Sequence, residues 1–292
     1  MEKKKILILG GAGFLGSHVG DLLTKRGHQV TLFDTFLSPY IQSGQEMIIG
    51  SILDESKLNQ AVANADIVYH FAGVTDIDIV NNDPLGAIEA NVLGTAKVLS
   101  ACVTSPVERL FFASSVYVYS NYGGVYRITK QACELLIKDY HQTQGLKYTI
   151  MQIGSSYGPR AKSTNLVNSL IHQALTAKKI THHGDGEEIR KYIYVKDIAR
   201  ASVKLLAEGH ENQTVILLGS ESVRIKDLMK KINQTLAADL PVDFLNNTYQ
   251  NHYKSSPFSQ QPNGVFKFDL DQMIPLDQGL HKTISALQAE LA

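Results

Sequence analysis

The 292-residue sequence predicts an α/β fold with a doubly wound parallel sheet and a smaller C-terminal α/β domain. Two observations support this prediction. Short, unbroken apolar runs alternate with helical patterns from residue 5 to residue 153, as expected of strands that are covered by helices on both faces. A glycine-rich turn also follows the first of these strands directly.

The opening segment predicts a strand, a turn, a helix and a second strand. Residues 6–9 are all apolar, and glycines at 10, 13 and 16 follow them before a helical pattern that ends at Gly27. Such glycines let a pyrophosphate approach the backbone, and the helix N-terminus offers it free N–H groups. The strand at residues 30–33 ends on Asp34, where a carboxylate can accept the hydroxyls of an adenosine ribose. This order of elements predicts a Rossmann-type nucleotide-binding unit.

The remaining elements complete the alternation. Predicted strands lie at residues 47–49, 65–70, 109–113 and 148–153, and predicted helices at 55–62, 84–101 and 126–140, with a loop at 74–84. Beyond residue 160 the pattern becomes irregular, with helices at 165–177, 198–208 and 225–236, strands at 191–195 and 215–218, a polar segment at 246–264 and a final helix. We therefore expect a nucleotide-binding domain over residues 1–160. Residues 161–292 would form mainly a substrate-binding domain, and the chain would cross back to the first domain near 191–218.

The composition excludes several classes of function. Lysine plus arginine and aspartate plus glutamate balance at 28 each, which indicates neither a nucleic-acid nor a membrane partner. The N-terminus lacks the apolar region of a signal peptide, so we expect a cytoplasmic protein. Cys102 and Cys133 lack metal-ligand spacing, so we expect reduced core thiols and no metal site.

A second chemical signal lies in the middle of the chain. Tyr126 and Lys130 are four residues apart, hence on one face of the predicted helix. A tyrosine with an ordinary pKa of about 10 is a poor base, but an adjacent ammonium and an oxidised nicotinamide both favour its phenolate. Ser115, at the end of a predicted strand, can donate a hydrogen bond to a reacting oxygen. The spacing alone is weak evidence, because Tyr192 and Lys196 share it in a strand-like run.

Together these motifs resemble the NAD-dependent epimerase/dehydratase family of extended short-chain dehydrogenases/reductases, the group that includes UDP-galactose 4-epimerase. The matching segments are GGAGFLG (10–16), YHFAG (69–73), DPLGAIEANVLGTAKVL (83–99), FFASSVYVYS (111–120), YRITK (126–130), YGPR (157–160), GDGEEIRKYIYVKDIARA (184–201) and DQGLHKTI (277–284).

The resemblance implies a nucleotide-diphosphate sugar as substrate and NAD as cofactor. It implies that Tyr126 is the base, that Lys130 holds the nicotinamide ribose and tunes Tyr126, and that Ser115 binds the reacting oxygen. The implied cofactor-binding residues are Gly10, Gly13, Phe14, Leu15, Gly16, Asp34, Ala72, Gly73, Tyr126 and Lys130. The implied substrate-binding residues are Asn165, His183 and Arg190, with Arg190 on the phosphates.

The sequence also departs from the family's pattern. Only six residues separate Tyr119 from Tyr126, where the family usually has a longer loop. Gln152 and Ser155 stand where the family often has arginine and asparagine, and Ser51 replaces a common acid. No Asp-Glu pair follows Ser115, which argues against a 4,6-dehydratase.

Three functions remain open from the sequence. The leading one is an NAD-dependent nucleotide-sugar epimerase that acts by transient hydride transfer. The alternatives are an NAD-dependent nucleotide-sugar reductase or dehydrogenase and a non-catalytic NAD-binding protein. The resemblance also implies a homodimer formed by helices 84–101 and 126–142, whose apolar residues are Ile88, Val92, Leu99, Ile128, Leu135 and Leu136.

Overall fold

The structure is a computed structural model that describes residues 2–207, 209–245, 252–255, 262 and 264–291. The strands, in chain order, are β1 (Lys5–Leu9), β2 (Gln29–Asp34), β3 (Gln45–Ile49), β4 (Ile67–His70), β5 (Arg109–Ser115), β6 (Tyr148–Ile153), β7 (Ser155–Tyr157), β8 (Ile180–His183), β9 (Ile189–Arg190), β10 (Tyr192–Tyr194), β11 (Gln213–Leu217), β12 (Val223–Arg224), β13 (Val242–Leu245) and β14 (Val265–Lys267). The helices are α1 (Phe14–Lys25), α2 (Glu55–Val62), α3 (Ile77–Asn82), α4 (Pro84–Ile88), α5 (Gly94–Val103), α6 (Gly124–Gln144), α7 (Leu166–Thr176), α8 (Val195–Lys204), α9 (Ile225–Thr235) and α10 (Leu276–Leu291).

The main sheet has eight strands in the order β14-β11-β6-β5-β4-β1-β2-β3, and every neighbouring pair is parallel. The chain moves outward from β1 to β3 and then returns to the other side of β1 with β4. This reversal is a topological switch point, and ligands bind such sheets in the crevice beyond the carboxyl ends of the strands on either side. The predicted doubly wound, Rossmann-type parallel sheet is therefore confirmed.

Strand β1 shows why its sequence is uniformly apolar. Ile6 and Ile8 face a core that includes α1 and α8, whereas Leu7 and Leu9 face a second core that includes α2, α5 and α6. All four side chains are at most 1% exposed. Each face of the strand is covered by helices, so neither tolerates a polar side chain.

The C-terminal part of the chain has its own core. Helices α7, α9 and α10 pack around a third apolar cluster, represented by Leu170, Leu228 and Leu280. Three short pairs, β7 with β10, β9 with β12 and β8 with β13, accompany this cluster. Strands β11 and β14 instead extend the main sheet.

The structure corrects the sequence analysis at several elements. The predicted loop at 74–84 contains α3, whose N-terminus is capped by Asp76. The predicted helix at 84–101 is divided by a π-helical segment, Glu89–Leu93, between α4 and α5. Strand β14 was not predicted, because three residues are too short to show an alternating pattern. Most of the polar segment at 246–264 lies outside the described residues.

Both cysteines are buried free thiols, and Cys133 donates a hydrogen bond to the Asn91 carbonyl. Across the described ranges, no group of three or more His, Cys, Asp or Glu residues could hold a metal ion. Within those same residues, no helix combines the length and the apolar character needed to cross a bilayer.

Candidate active site

The glycine turn between β1 and α1 is packed too closely for side chains. Gly10 has φ +79°, and a Cβ there would lie 2.6 Å from the Ala72 nitrogen. A Cβ on Gly16 would lie 2.2 Å from the Gly10 carbonyl oxygen. Gly13 precedes α1 and offers no side-chain cap, so the first N–H groups of the helix receive no cap from it. A cradle of bare backbone at a helix N-terminus fits the pyrophosphate of a dinucleotide.

Asp34 closes the opposite side of this turn. Its Oδ2 accepts a hydrogen bond from the Ala12 nitrogen at 3.0 Å, and its Oδ1 accepts one from the Thr35 nitrogen at 2.8 Å. The carboxylate is half-buried at the end of β2, beside the glycines. The carboxylate lies where the sequence analysis expects a ribose ligand.

The loop after β4 is held by Asn91, which is not among the site residues expected from the sequence. Asn91 accepts a hydrogen bond from the Val74 nitrogen at 2.7 Å and donates one to the Val74 carbonyl at 2.9 Å. Its amide also donates to Thr129 on α6 at 3.2 Å. A Cβ on Gly73 would lie 2.6 Å from Asn91 Oδ1, so the loop after β4 fits tightly against this amide. Asn91 lies in the π-helical segment, within one of the motifs that carry the family resemblance.

Ser115, Tyr126 and Lys130 come together beside this crevice. Ser115 ends β5, whereas Tyr126 and Lys130 lie on α6, and all three are at most 8% exposed. The Ser115 hydroxyl lies close enough to the Tyr126 phenol to influence its pKa. Lys130 Nζ donates to the Ala113 carbonyl at 2.8 Å and lies 4.8 Å from the centroid of the Phe112 ring.

Burial acts on both ionisable members of this group. Burial raises the pKa of the Tyr126 phenol, and the neighbouring Ser115 side chain offsets part of that rise. It lowers the pKa of the Lys130 ammonium, against the opposing effects of Cys133 and Glu134. Lys130 is expected from the sequence to lower the pKa of Tyr126, but the net effect of the surroundings is to raise that pKa, with desolvation as the largest cause.

A buried polar network supports the same strand end. The carboxylate of Glu134, one turn after Lys130, accepts hydrogen bonds from Ser114 and from Gln152 Nε2 at 3.0 Å. Gln152 Oε1 accepts a hydrogen bond from the Tyr119 hydroxyl at 2.7 Å. Gln152 departs from the family's usual arginine, and the structure pairs it with a carboxylate that the sequence analysis missed. Glu134 follows Lys130 by four residues, and this helical spacing could have identified it.

Arg190, the expected phosphate ligand, is 5% exposed on β9. Its guanidinium lies 4.0 Å from the centroid of the Tyr253 ring, and Nη1 donates to the Ile189 carbonyl at 3.0 Å. Nη2 is buried and has no hydrogen-bond partner among the residues that the structure describes. A buried N–H donor without a partner is costly, and an anionic ligand would satisfy it.

The other two expected substrate ligands are less distinctive. Asn165 caps α7, and its amide donates to the Ser156 carbonyl at 2.8 Å. His183 is exposed on β8, whereas the neighbouring His182 is buried against Glu188 at 3.3 Å. Neither His182 nor Glu188 is among the site residues expected from the sequence.

Comparisons with known proteins agree with this geometry. Residues 6–219 match the sequence profile of the NAD dependent epimerase/dehydratase family. A UDP-N-acetyl-alpha-D-glucosaminuronate decarboxylase from Bacillus cytotoxicus is 32% identical over 260 residues, which are 80% of this chain and 80% of that protein. UDP-glucuronic acid decarboxylase 1 from Xenopus tropicalis is 26% identical over 99% of this chain and 73% of that protein.

Solved structures show the same fold. The UDP-N-acetylglucosamine 4-epimerase from Methanobrevibacter ruminantium superposes with a TM-score of 0.86 at 24% identity, over 99% of this chain and all of that one. The UDP-glucuronic acid 4-epimerase from Bacillus cereus, in complex with UDP-glucuronic acid and NAD, has a TM-score of 0.86 at 23% identity, over 98% of this chain and 99% of that one. This chain therefore belongs to the NAD-dependent epimerase/dehydratase family of extended short-chain dehydrogenases/reductases, whose cofactor is NAD.

Proposed function

We propose that this protein is an NAD-dependent nucleotide-diphosphate-sugar epimerase. The observation that carries the proposal is the convergence of three buried side chains, Ser115, Tyr126 and Lys130, at the carboxyl end of β5. Intact members of this trio also count against a non-catalytic NAD-binding protein.

The residues of the chain would act on one hydroxyl of the sugar. Ser115 would donate a hydrogen bond to the reacting oxygen, and Tyr126 would take its proton and later return it. NAD⁺, when bound, would supply the hydride acceptor, and return of the hydride to the opposite face of the ketone would invert the carbon. Lys130 would hold the nicotinamide ribose and, with the positive nicotinamide, counter the rise that burial imposes on the pKa of Tyr126.

The remaining contacts follow the same division of labour. The glycine turn with Phe14 and Leu15 would hold the pyrophosphate, Asp34 the adenosine ribose, and Ala72 with Gly73 would line the nicotinamide half. Arg190, with its buried unpartnered Nη2, would bind the diphosphate of the substrate from the C-terminal, substrate-binding domain. Asn165 and His183 would be secondary contacts.

A second candidate is a decarboxylase of nucleotide-sugar uronic acids, because curated relatives carry that name. Oxidation at C4 of a hexuronic acid gives a β-keto acid. Such an acid loses CO₂ as the C5–C6 bond breaks, and a proton then replaces the carboxylate at C5. The first step would be the same oxidation, in which Tyr126 takes the proton and NAD⁺ would accept the hydride. A carboxylate at C5 is required for the decarboxylase reaction, but an epimerase can also act on such a sugar, as the UDP-glucuronic acid 4-epimerase shows.

We also propose that two copies associate through α4, α5 and α6. Leu85 and Ile88 are exposed on α4, Ile128 and Leu135 are exposed on α6, and both α4 and α5 pack against α6. Leu99 does not contribute, because it is fully buried in the core. An isologous pairing would bury this apolar surface twice, once on each subunit.

A screen of UDP-glucose, UDP-N-acetylglucosamine and UDP-glucuronic acid tests the proposed function. The products are followed by mass spectrometry and anomeric NMR, and NADH by absorbance. An inverted sugar of unchanged mass without net NADH is the expected result. Loss of CO₂ supports the decarboxylase, stoichiometric NADH change supports a reductase or dehydrogenase, and no turnover of any nucleotide sugar would refute all three.

A further inference from the structure

The segment before the predicted base is short, and a tyrosine occupies the space beside it. Only six residues separate Tyr119 from Tyr126, and α6 begins at Gly124 directly after Gly123. Both glycines have positive φ, +92° and +51°, which lets the chain turn into the helix within two residues. This compact turn leaves no residues for a separate wall of the site.

Tyr117 is held in that space from several sides. A Cβ on Gly123 would lie 2.7 Å from Tyr117 Cδ1, so the glycine allows the ring to approach the backbone. The ring meets Tyr126 edge to face, with centroids 6.0 Å apart. A hydrogen bond of 2.8 Å joins the Tyr117 hydroxyl to His252 Nδ1.

The same ring leads to the expected phosphate ligand. The centroids of Tyr117 and Tyr253 are 4.8 Å apart, and the guanidinium of Arg190 lies 4.0 Å from the Tyr253 centroid. Tyr126, Tyr117, Tyr253 and Arg190 therefore form a continuous row, which we call the aromatic row.

We infer that Tyr117 is the sugar-binding wall of this site and a residue that determines its specificity for the sugar. The inference rests on the proposed function. A nucleotide sugar with its diphosphate at Arg190 and its reacting hydroxyl at Tyr126 must extend along the row that joins them. The apolar C–H face of a pyranose can pack on an aromatic ring, and Tyr117 is the ring next to the base.

Calorimetry on the NAD-loaded Tyr126→Phe protein separates sugar binding from turnover. UDP and UDP-glucose are titrated separately. The dissociation constant of UDP divided by that of UDP-glucose measures how much the sugar contributes to binding. Tyr117→Leu keeps an apolar side chain but removes the planar ring, so this ratio should fall about fivefold while the affinity for UDP is unchanged. The matched control is Tyr122→Leu, at an exposed tyrosine in the same turn, which should leave both affinities unchanged.

A second measurement keeps an aromatic ring at position 117. Tyr117→Phe is made in the Tyr126→Phe protein, and all phenylalanine rings are deuterated. Position 117 then keeps an aromatic ring, but this ring no longer carries protons. In saturation-transfer NMR with UDP-glucose, the glucose protons should lose signal relative to the uridine protons.

Two outcomes separate a wrong role for Tyr117 from a wrong function for the protein. In the first, all variants bind UDP equally, and neither the ratio of the two dissociation constants nor the glucose signals change. This result overturns the assignment of Tyr117 and leaves the proposed function standing. Failure of the wild-type protein to bind or turn over any nucleotide sugar overturns the proposed function and this inference with it.

Discussion

At the scale of single residues, burial favours the neutral forms of both Tyr126 and Lys130. The pKa of the phenol is raised and that of the ammonium is lowered, and desolvation is the largest cause for each. A buried base of this kind needs positive charge at the moment of proton transfer, because the phenolate is otherwise disfavoured. The proposed mechanism therefore depends on Lys130 and an oxidised cofactor acting together.

Replacement of Tyr126 by phenylalanine tests the base directly. Tyr126→Phe keeps the ring in its buried site but removes the group that takes the proton, so turnover should fall by about 10²–10⁴-fold. NAD affinity, measured by calorimetry, should change little. Tyr122→Phe, at an exposed tyrosine nearby, is the control and should behave as wild type. An unchanged rate in Tyr126→Phe would mean that α6 is only scaffold.

At the scale of elements, the turn between β1 and α1 is set by close backbone contacts. We expect Gly16→Ala to weaken NAD binding about tenfold or more, because its Cβ would lie 2.2 Å from the Gly10 carbonyl oxygen and the turn must shift to relieve the clash. Overpacking of this kind costs about 1–3 kcal/mol. Calorimetry with NAD measures the effect. Gly20→Ala is a matched control on the same helix, since its Cβ would meet only side-chain ends, of which the nearest are Leu32 Cδ2 at 3.1 Å and Ile8 Cδ1 at 3.3 Å. Equal affinities in the two variants would argue against the turn as the pyrophosphate site.

The exposed face of α6 tests the proposed dimer. Leu135 is 68% exposed in the isolated chain, and a lysine there would place a charge in a buried apolar interface. Light scattering at micromolar concentration should show a dimer for the wild type and a monomer for Leu135→Lys. Leu291→Lys, at an exposed leucine on α10, should remain dimeric. A monomeric wild type would remove the proposal.

At the scale of the whole molecule, buried histidines should make the fold sensitive to acid. Burial lowers the pKa of His18 to about 4, that of His70 to about 3 and that of His252 to about 4. An unfolded histidine titrates near 6.5, so below that pH the unfolded chain binds more protons than the folded chain. The stability present above pH 6.5 is therefore lost as the pH falls toward 4.

Urea unfolding between pH 7.5 and pH 5 measures this loss. Each of His18 and His70 should contribute a slope of about 1.4 kcal/mol per pH unit below 6. His18→Gln should reduce the slope by about one such increment while leaving the other histidines in place. A free energy of unfolding that stays constant or rises over this range would contradict the prediction.

The sequence by itself determined the fold class, the family and the glycine turn. These features depend on local patterns: apolar runs such as residues 6–9, glycines at fixed spacing, and an acid at the end of the next strand. The sequence also predicts that Ser115, Tyr126 and Lys130 act together. Ser115 ends an apolar run that forms a strand, and Tyr126 and Lys130 are spaced by one helical turn.

Only the tertiary structure decided the surroundings of these residues. The pairing of Glu134 with Gln152, the contact of Asn91 with the loop after β4, and the link from Tyr117 to His252 join residues 17 to 135 positions apart. Such contacts leave no periodic signal, since each depends on how separate elements pack. The direction of the pKa shift at Tyr126 was decided in the same way, because desolvation depends on the burial that the assembled core imposes.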